Sequence, residues 1–242
     1  SNHLESEHLM PKIYNLLALD IAEYLEQYIE QHQLKPGDKL PSERELSVLL
    51  NVTRVTLRNG LEILASQGTI FRIHGSGYYL CPPKVNRELI HYCFPYKDSL
   101  LQKQKYHLLP LEYIPEPIQN IAESVFAPVS MDLIKRHRFI EFVDNTPIGL
   151  MYTFQNRNTE NLLPDFPNTK EIPNSVYFSQ TIRVFDESIA ANESLKELLK
   201  ISADDSLLLI STFICHHNDV IALCLSISVG TRVNLVSNVK LP

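Results

Sequence analysis

A very short connection between two helices is the feature that most constrains the fold of this chain. Ser42 is followed three residues later by Glu45, which is the spacing of a capping box and predicts that a helix begins after Ser42. Residues 51–52 leave room only for a tight turn before Thr53, which can cap a second helix. Gly68 stands where that helix would need a left-handed residue to end. The spacing therefore predicts a helix-turn-helix.

Elements on both sides extend this pattern to a winged helix-turn-helix. Apolar residues recur at helical spacing before the turn at residues 35–38 and predict a further helix at the start of the chain. Residues 69–73 and 78–80 alternate like two strands, with the flexible tip His74-Gly75-Ser76-Gly77 between them. The apolar side chains expected to point inward are Ile13, Leu16, Leu17, Ile21, Leu25, Tyr28 and Ile29, followed by Leu46, Leu49 and Leu50.

The distribution of charge allows an acidic chain to bind DNA. The formal net charge is −6, which excludes a generally basic surface. From residue 53 to residue 80, however, three arginines stand against a single acid, Glu62. Arg54 and Arg58 are four residues apart and therefore share one helix face, where they could contact DNA or simply form a solvated surface.

Three motifs stand out along the first 80 residues. They are residues 36–46 (Pro-Gly-Asp-Lys-Leu-Pro-Ser-Glu-Arg-Glu-Leu), 52–58 (Val-Thr-Arg-Val-Thr-Leu-Arg) and 74–77 (His-Gly-Ser-Gly). Together with Gly68 they resemble the signature of GntR-family transcription regulators, over about residues 10–80. Gly60 departs from the alanine common in that family, which we expect to cost about 1 kcal/mol of helix stability.

The resemblance to the GntR family implies a set of DNA contacts. It implies that the start of the second helix of the motif enters the major groove, with a glycine-rich wing tip beside the phosphates. The residues implied to contact operator DNA are Arg44, Thr53, Arg54, Thr56 and Arg58, and those implied to form the wing tip are His74, Gly75, Ser76 and Gly77.

Beyond residue 80 the pattern changes to longer strands. Pro82 and Pro83 favour extended backbone, so we place a linker at residues 81–88, between a first domain at 10–80 and a second at 89–242. The second domain is expected to be α+β with an antiparallel sheet. Strand-like runs cover residues 132–143, 147–157, 207–216 and 220–229, with turns at 144–146 and 217–219 and helices expected at 115–125, 174–180 and 193–201.

Two arginines occupy an otherwise apolar strand face in the second domain. Arg136 and Arg138 alternate with Ile134, Ile140 and Phe142. Burying guanidinium groups without a counter-anion is costly, so an inward face would need something negative opposite them. Either an internal carboxylate or a bound carboxylate or phosphate ligand would serve.

The second domain also resembles the UTRA ligand-binding domain of HutC-type GntR regulators, which has a chorismate-lyase-like fold. The residues that carry this resemblance are 134–138 (Ile-Lys-Arg-His-Arg), 145–149 (Asn-Thr-Pro-Ile-Gly), Tyr152-Thr153, Leu163-Pro164 and 175–177 (Ser-Val-Tyr). The resemblance implies that Arg136 and Arg138 hold an anionic group of an effector, assisted by Ser175 and Tyr177.

The chain departs from the UTRA pattern where relatives bind sugar hydroxyls. Leu150-Met151 stand where many members carry an acidic residue, and Ala222 and Ser228 stand at two further positions where polar contacts are lost. We therefore expect a small anionic effector that need not be an amino-sugar phosphate.

The resemblance implies a homodimer that binds a palindromic operator, acts by default as a repressor, and uses no cofactor and no metal. The alternatives are a catalytic chorismate-lyase-like domain, a ligand-independent regulator, and a GntR subfamily with an all-helical, metal-binding sensor. We expect no enzyme activity because no catalytic motif occurs, and no shared metal at His216 and His217 because adjacent strand residues face opposite sides. No apolar run reaches 18 residues and no signal segment is recognisable, so a cytoplasmic protein without membrane contact is expected.

Overall fold

The computed structural model describes residues 4–185, 193–201 and 205–241. The chain separates into two compact units, with the division between Lys84 and Val85. No helix in the described ranges is both long and apolar enough to span a bilayer. In the same ranges, no three histidine, cysteine or acidic side chains come together as metal ligands would.

The first unit has the predicted order of a winged helix-turn-helix. Its elements are α1 (Leu4–Gln31), α2 (Glu43–Leu50), α3 (Arg54–Ser66), β1 (Ile70–Ile73) and β2 (Gly77–Leu80). The predicted capping box forms, because the Glu45 amide donates to Ser42 Oγ (3.2 Å) and the Ser42 amide donates to Glu45 Oε2 (2.8 Å). Asn51 ends α2 in the left-handed region at φ 52°, and the Thr53 side chain caps α3.

The core of the first unit joins all three helices to the hairpin. Its buried side chains are Ile21, Ala22, Leu25, Leu40, Leu46, Leu57, Leu61, Leu64, Ile70, Tyr78 and Leu80. The expectation that Leu17 and Leu49 point inward is wrong, since these side chains are 39% and 58% exposed. The side chains of Ile13 and Leu16 lie outside those that the structure describes. The eight-residue α2 contacts the core through a narrow stripe at Leu46 and Leu50, four residues apart, and Leu49 lies to one side of that stripe.

Gly60 allows α3 to pack closely against α1. A Cβ atom at this position would overlap the Ile21 side chain and lie 3.1 Å from the Ala18 carbonyl oxygen. The glycine that costs intrinsic helix propensity is therefore required by the packing of the two helices.

Replacing Gly60 by alanine should destabilise the protein, although alanine is the better helix former. We expect a loss of about 1–3 kcal/mol, the usual cost of overpacking a core, to outweigh the propensity gain of about 1 kcal/mol. Thermal or urea unfolding would measure the change. In an Ile21→Ala background the same substitution should cost less, and equal costs in the two backgrounds would argue against the contact.

The second unit is built on one antiparallel sheet of six strands, in the order β4-β5-β6-β9-β8-β7. The strands are β4 (Tyr106–Pro110), β5 (Ile134–Val143), β6 (Thr146–Asn156), β7 (Val176–Val184), β8 (Leu207–His216) and β9 (Asp219–Val229). The helices are α4 (Glu116–Phe126) and α5 (Glu193–Leu199), with 3-10 turns at Leu89–His91, Met131–Leu133 and Arg157–Leu162. This α+β architecture confirms the predicted fold class and excludes an all-helical sensor.

Two predictions for the second unit need correction. Residues 174–180 do not form a helix, because from Val176 onward they belong to β7, which pairs with β8 along its whole length. The segment predicted as a linker at 81–88 is only partly a connection, since β3 (Val85–Glu88) pairs in parallel with β10 (Val233–Val236). Both segments are short, and in both the long-range pairing overrides a weak local signal.

Both faces of the large sheet are covered. One face carries Tyr152, Phe154, Leu223 and Leu225 beneath α4 and α5, whose buried side chains are Ile118, Ala122, Phe126, Leu195 and Leu199. We call this the helix-covered face. The opposite face packs against loops through residues such as Phe94, Leu163 and Phe166. Because side chains alternate along each strand, the register decides which residues reach each face.

Candidate functional site

The start of α3 presents a polar surface backed by a buried apolar stripe. Arg54 is exposed, whereas Leu57 and Leu61 are fully buried. The Thr53 and Thr56 hydroxyls lie 2.8 Å apart and bond to each other, and Thr53 Oγ1 also accepts from the Thr56 amide. The helix start is therefore capped by side-chain hydrogen bonds, with its cationic side directed away from the core.

Arg44 at the start of α2 and Arg58 one turn along α3 extend this cationic surface, and both are exposed. The sequence did not show that Arg58 is held in place by Glu43. The Arg58 Nε and Nη2 atoms donate to the Glu43 carboxylate at 2.9–3.2 Å. These hydrogen bonds lower the pKa of Glu43. The pair fixes the direction of the Arg58 guanidinium and leaves its Nη1 side available.

The wing tip forms where the sequence predicts it. His74, Gly75 and Ser76 are exposed between β1 and β2, and Gly75 and Gly77 have φ angles of 74° and 137°. Ser76 Oγ bonds to the Tyr79 hydroxyl at 2.5 Å, which ties the tip to β2.

Two cations that sequence reasoning did not select flank the wing. Lys39 Nζ lies 5.9 Å from the Tyr79 ring centre, and the Arg72 guanidinium lies 5.8 Å from the Tyr78 ring centre. Lys39 and Arg72 therefore add positive charge to the same unit that carries Arg54.

In the second unit, a pocket of about 620 Å³ brings Arg136 and Arg138 together. It opens beside β5, on the helix-covered face, where Arg136 is exposed and Arg138 is partly buried. Sequence reasoning missed Arg157, a third arginine that reaches this pocket from the turn after β6. The remaining lining residues are Ile114, Glu116, Gln119, Asp132 and Ile134.

The arginines in this pocket have no internal counter-ion within the described part of the chain. The ion pairs found there join Arg58 to Glu43, Arg87 to Asp98 and Glu141, His91 to Glu88 and Lys135 to Glu160. Arg136, Arg138 and Arg157 take part in none of them. The interpretation in which a carboxylate of this chain balances Arg136 and Arg138 therefore finds no support in these residues.

The structure does not bring Ser175 and Tyr177 to this pocket. Tyr177 lies on the edge strand β7 and donates to the His217 carbonyl oxygen at 2.6 Å. Four strand steps separate β7 from β5, which amounts to about 19 Å at about 4.8 Å per step. Ser175 immediately precedes β7 and is exposed.

The two positions at which sugar contacts were expected to be lost also lie elsewhere. Ala222 and Ser228 alternate with Leu223 and Leu225 on β9, so they face the side of the sheet opposite to the arginines. Ser228 is buried and its hydroxyl bonds to that of Tyr92. These two residues therefore say nothing about the ligand of the pocket at Arg136 and Arg138.

The geometry of the first unit defines a class, the winged helix-turn-helix proteins, and comparison with known proteins supplies the family. The family model described as bacterial regulatory proteins, gntR family, matches residues 17–80. The N-terminal unit of this chain is therefore a GntR-family helix-turn-helix domain.

Individual relatives are named as transcriptional regulators. The chain is 43% identical over 60 residues to the uncharacterized HTH-type transcriptional regulator YydK of Bacillus subtilis. The matched segment covers 25% of this chain and 25% of YydK. It is 28% identical over 139 residues to YurK of the same organism, an uncharacterized HTH-type transcriptional regulator. This matched segment covers 57% of this chain and 57% of YurK. The chain thus matches less than two thirds of either relative. The crystal structure of YydK aligns over 93% of this chain and 99% of that one, with 18% identity and a TM-score of 0.43.

Proposed function

We propose that this protein is a transcription regulator that binds a palindromic operator as a homodimer and is controlled by a small anionic metabolite. The observation that carries the proposal is the exposed cationic start of α3, fixed by the Thr53 cap and backed by buried leucines. A helix-turn-helix inserts this part of its second helix into the major groove.

Each cation of the reading surface has a distinct task in this proposal. Arg54 is free to form the bidentate contact with guanine that arginine favours. Arg58 is oriented by Glu43 and offers its remaining N–H groups to a phosphate or a base edge. Thr53, Thr56 and Arg44 contact the backbone around the groove, and the glycines of the wing tip let the chain approach the neighbouring phosphates.

A dimer would place two copies of α3 about 34 Å apart, one turn of DNA, so the operator should be an inverted repeat. We assign the reading function to residues 10–80. Effector binding and dimerisation are assigned to the second unit, within residues 89–242, as a UTRA-type domain acting in the cytoplasm.

The effector site that we propose is the pocket at Arg136 and Arg138. Guanidinium groups suit carboxylate and phosphate because their donors match two oxygens at once. Three arginines without ion pairs among the described residues line this one cavity, with Arg136 and Arg157 exposed and Arg138 partly buried, so their guanidinium groups are available to an anionic ligand. The adjacent Glu116 and Asp132 lower the net positive charge and would disfavour ligands that carry many negative charges.

Control of DNA binding then requires that the effector prefer one conformation of the protein. A ligand that bound the DNA-competent and the released forms equally well would not change operator occupancy. We propose that the free protein represses and that the effector favours the released form.

The effector proposal predicts a variant-specific loss of stabilisation. In a thermal-shift screen of small carboxylates and phosphates, at least one compound should raise the melting temperature of the wild type, since ligands that bind only the folded state stabilise it. Arg136→Ala should abolish that shift because it removes a direct ion pair. An equal response of both proteins to every anion would contradict a specific pocket and favour a regulator without a ligand.

A further inference from the structure

The pocket at Arg136 and Arg138 is also lined by two acidic side chains. Glu116 belongs to the first turn of α4, and Asp132 belongs to the 3-10 turn that precedes β5. Both side chains are exposed and line the same cavity of about 620 Å³ as the arginines. The cavity therefore presents groups of both charges to a ligand.

The two kinds of charge in this pocket do not neutralise each other. Among the described residues, neither Glu116 nor Asp132 takes part in any ion pair, and the three arginines of the pocket take part in none either. Different elements supply the opposite charges, since the arginines come from β5 and the turn after β6 and the acids come from α4 and the turn before β5. A ligand with two charged groups could therefore bind both kinds at once.

A ligand that carries only negative charge does not match the whole pocket. Its anionic group would attract the arginines, but the carboxylates of Glu116 and Asp132 would repel it. Like charges placed opposite each other lower affinity, and binding sites use them to reject the wrong partner. A ligand that joins a carboxylate to an ammonium group would pair with the arginines and with the acids.

The uncharged part of the lining suits the same kind of ligand. Gln119 lies three residues after Glu116 and therefore on the same face of α4, and its amide nitrogen donates to Glu123 at 3.4 Å. An amide oxygen can accept from an ammonium group, which has three N–H donors. Ile114 and Ile134 add apolar surface for the carbon atoms between the two charged groups of a ligand.

We propose that the effector is an amino acid, or a metabolite that carries a carboxylate and an ammonium group as an amino acid does. Its carboxylate contacts Arg136 and Arg138, and its ammonium group contacts the carboxylates of Glu116 and Asp132. The inference rests on the proposed anion pocket, and it narrows the ligand of that pocket from anions in general to zwitterions.

The test uses the full chain and the standard L-amino acids as probes. Isothermal titration calorimetry compares each amino acid with the carboxylic acid that has the same carbon skeleton and no amino group, such as L-leucine with 4-methylpentanoate. At least one amino acid should bind the wild type. Its deaminated counterpart should bind about tenfold more weakly, the usual effect of losing one hydrogen bond to a charged group.

The double variant Glu116→Gln/Asp132→Asn tests the two carboxylates directly. Both side chains are exposed, so the variant should remain folded. It should bind the same amino acid about tenfold more weakly than the wild type does, and it should bind the deaminated acid at least as tightly. If the variant weakened both ligands equally, the two acids would act only through the structure and the inference would be overturned.

Glu171→Gln/Glu197→Gln is the matched control. Both residues are exposed acids of the second unit that do not line the pocket, so this variant changes the net charge by the same amount. It should keep the preference of the wild type for the amino acid. An equal loss of that preference in the control would show that overall charge sets it, which would also overturn the inference.

Arg136→Ala separates the inference from the proposal beneath it. If a simple carboxylate or phosphate binds the wild type as tightly as any amino acid does, and Arg136→Ala abolishes this binding, the ligand class is wrong and the anion pocket stands. If no probe binds the wild type, or if Arg136→Ala leaves binding unchanged, both are overturned. Both are supported if Arg136→Ala abolishes binding and Glu116→Gln/Asp132→Asn abolishes only the preference for the amino acid.

Discussion

Arg87→Ala should unfold or severely weaken the second unit, with a loss of about 3–5 kcal/mol. Arg87 is completely buried and donates from Nε to Asp98 (2.9 Å) and from Nη1 to Glu141 (3.2 Å). Its Nη2 donates to the Tyr92 carbonyl oxygen at 2.8 Å, and its guanidinium lies 4.2 Å from the centre of the Tyr92 ring. Removing it would leave two buried carboxylates with no cation between them.

Amide hydrogen exchange, read separately for peptides of each unit, would measure the effect of Arg87→Ala. Protection should collapse in β5 and β6, which belong to the unit that carries Arg87, and should persist in α3. Lys135→Met is a suitable control, because the Lys135–Glu160 pair is about one-third exposed and surface pairs contribute at most about 1 kcal/mol. If the two variants cost the same, the buried network does not hold this unit together.

Arg54→Ala should weaken binding to an operator fragment by about 1–3 kcal/mol, roughly 5- to 150-fold. Arg54 is exposed at the first turn of α3 and forms no ion pair among the residues described, so its loss removes a DNA contact without disturbing the fold. Fluorescence anisotropy over a range of salt concentrations distinguishes two kinds of contact. Loss of a phosphate contact would reduce the steepness of the plot of log binding constant against log salt concentration by about 1. Loss of a base contact would also relax the preference for the operator sequence.

Arg183→Ala is the matched control for Arg54→Ala. Arg183 is an exposed arginine on β7 of the second unit, so its removal changes the net charge by the same amount. The affinity of this variant for the operator should differ from that of the wild type by less than about twofold, because Arg183 belongs to the unit without the helix-turn-helix and an exposed charge that does not contact DNA is largely screened. If both substitutions weaken binding equally, only the overall charge matters, and α3 is not the reading element.

Local signals predicted the first unit well because helix capping depends on residues close together in the chain. Ser42 and Glu45, three residues apart, form their capping box, and Gly68 takes a left-handed conformation at φ 73°. The Glu43–Arg58 pair was missed because its partners are 15 residues apart and meet only through the packing of α2 on α3. An acidic residue beside Ser42 is by itself no signal of that contact.

In the second unit, the strands were predictable and the site only in part. Alternation along β5 correctly placed Arg136 and Arg138 on one face with Ile134, since the period of two is a local property, although it did not show which way that face points. Arg157 was missed because its place in the pocket depends on the loop after β6, which single-strand patterns do not contain. Arg87 stood in a segment predicted as a linker, where a fully buried charge is not expected.

Selection of binding sites from a random DNA library tests the central claim most directly, because the operator sequence need not be known for it. The wild-type protein should enrich an inverted repeat with half-sites about one helical turn apart. The double variant Arg54→Ala/Arg58→Ala should remain folded, because both side chains are exposed, and should enrich no sequence. If the double variant enriched the same inverted repeat as the wild type, the start of α3 would not be the part of the molecule that reads DNA.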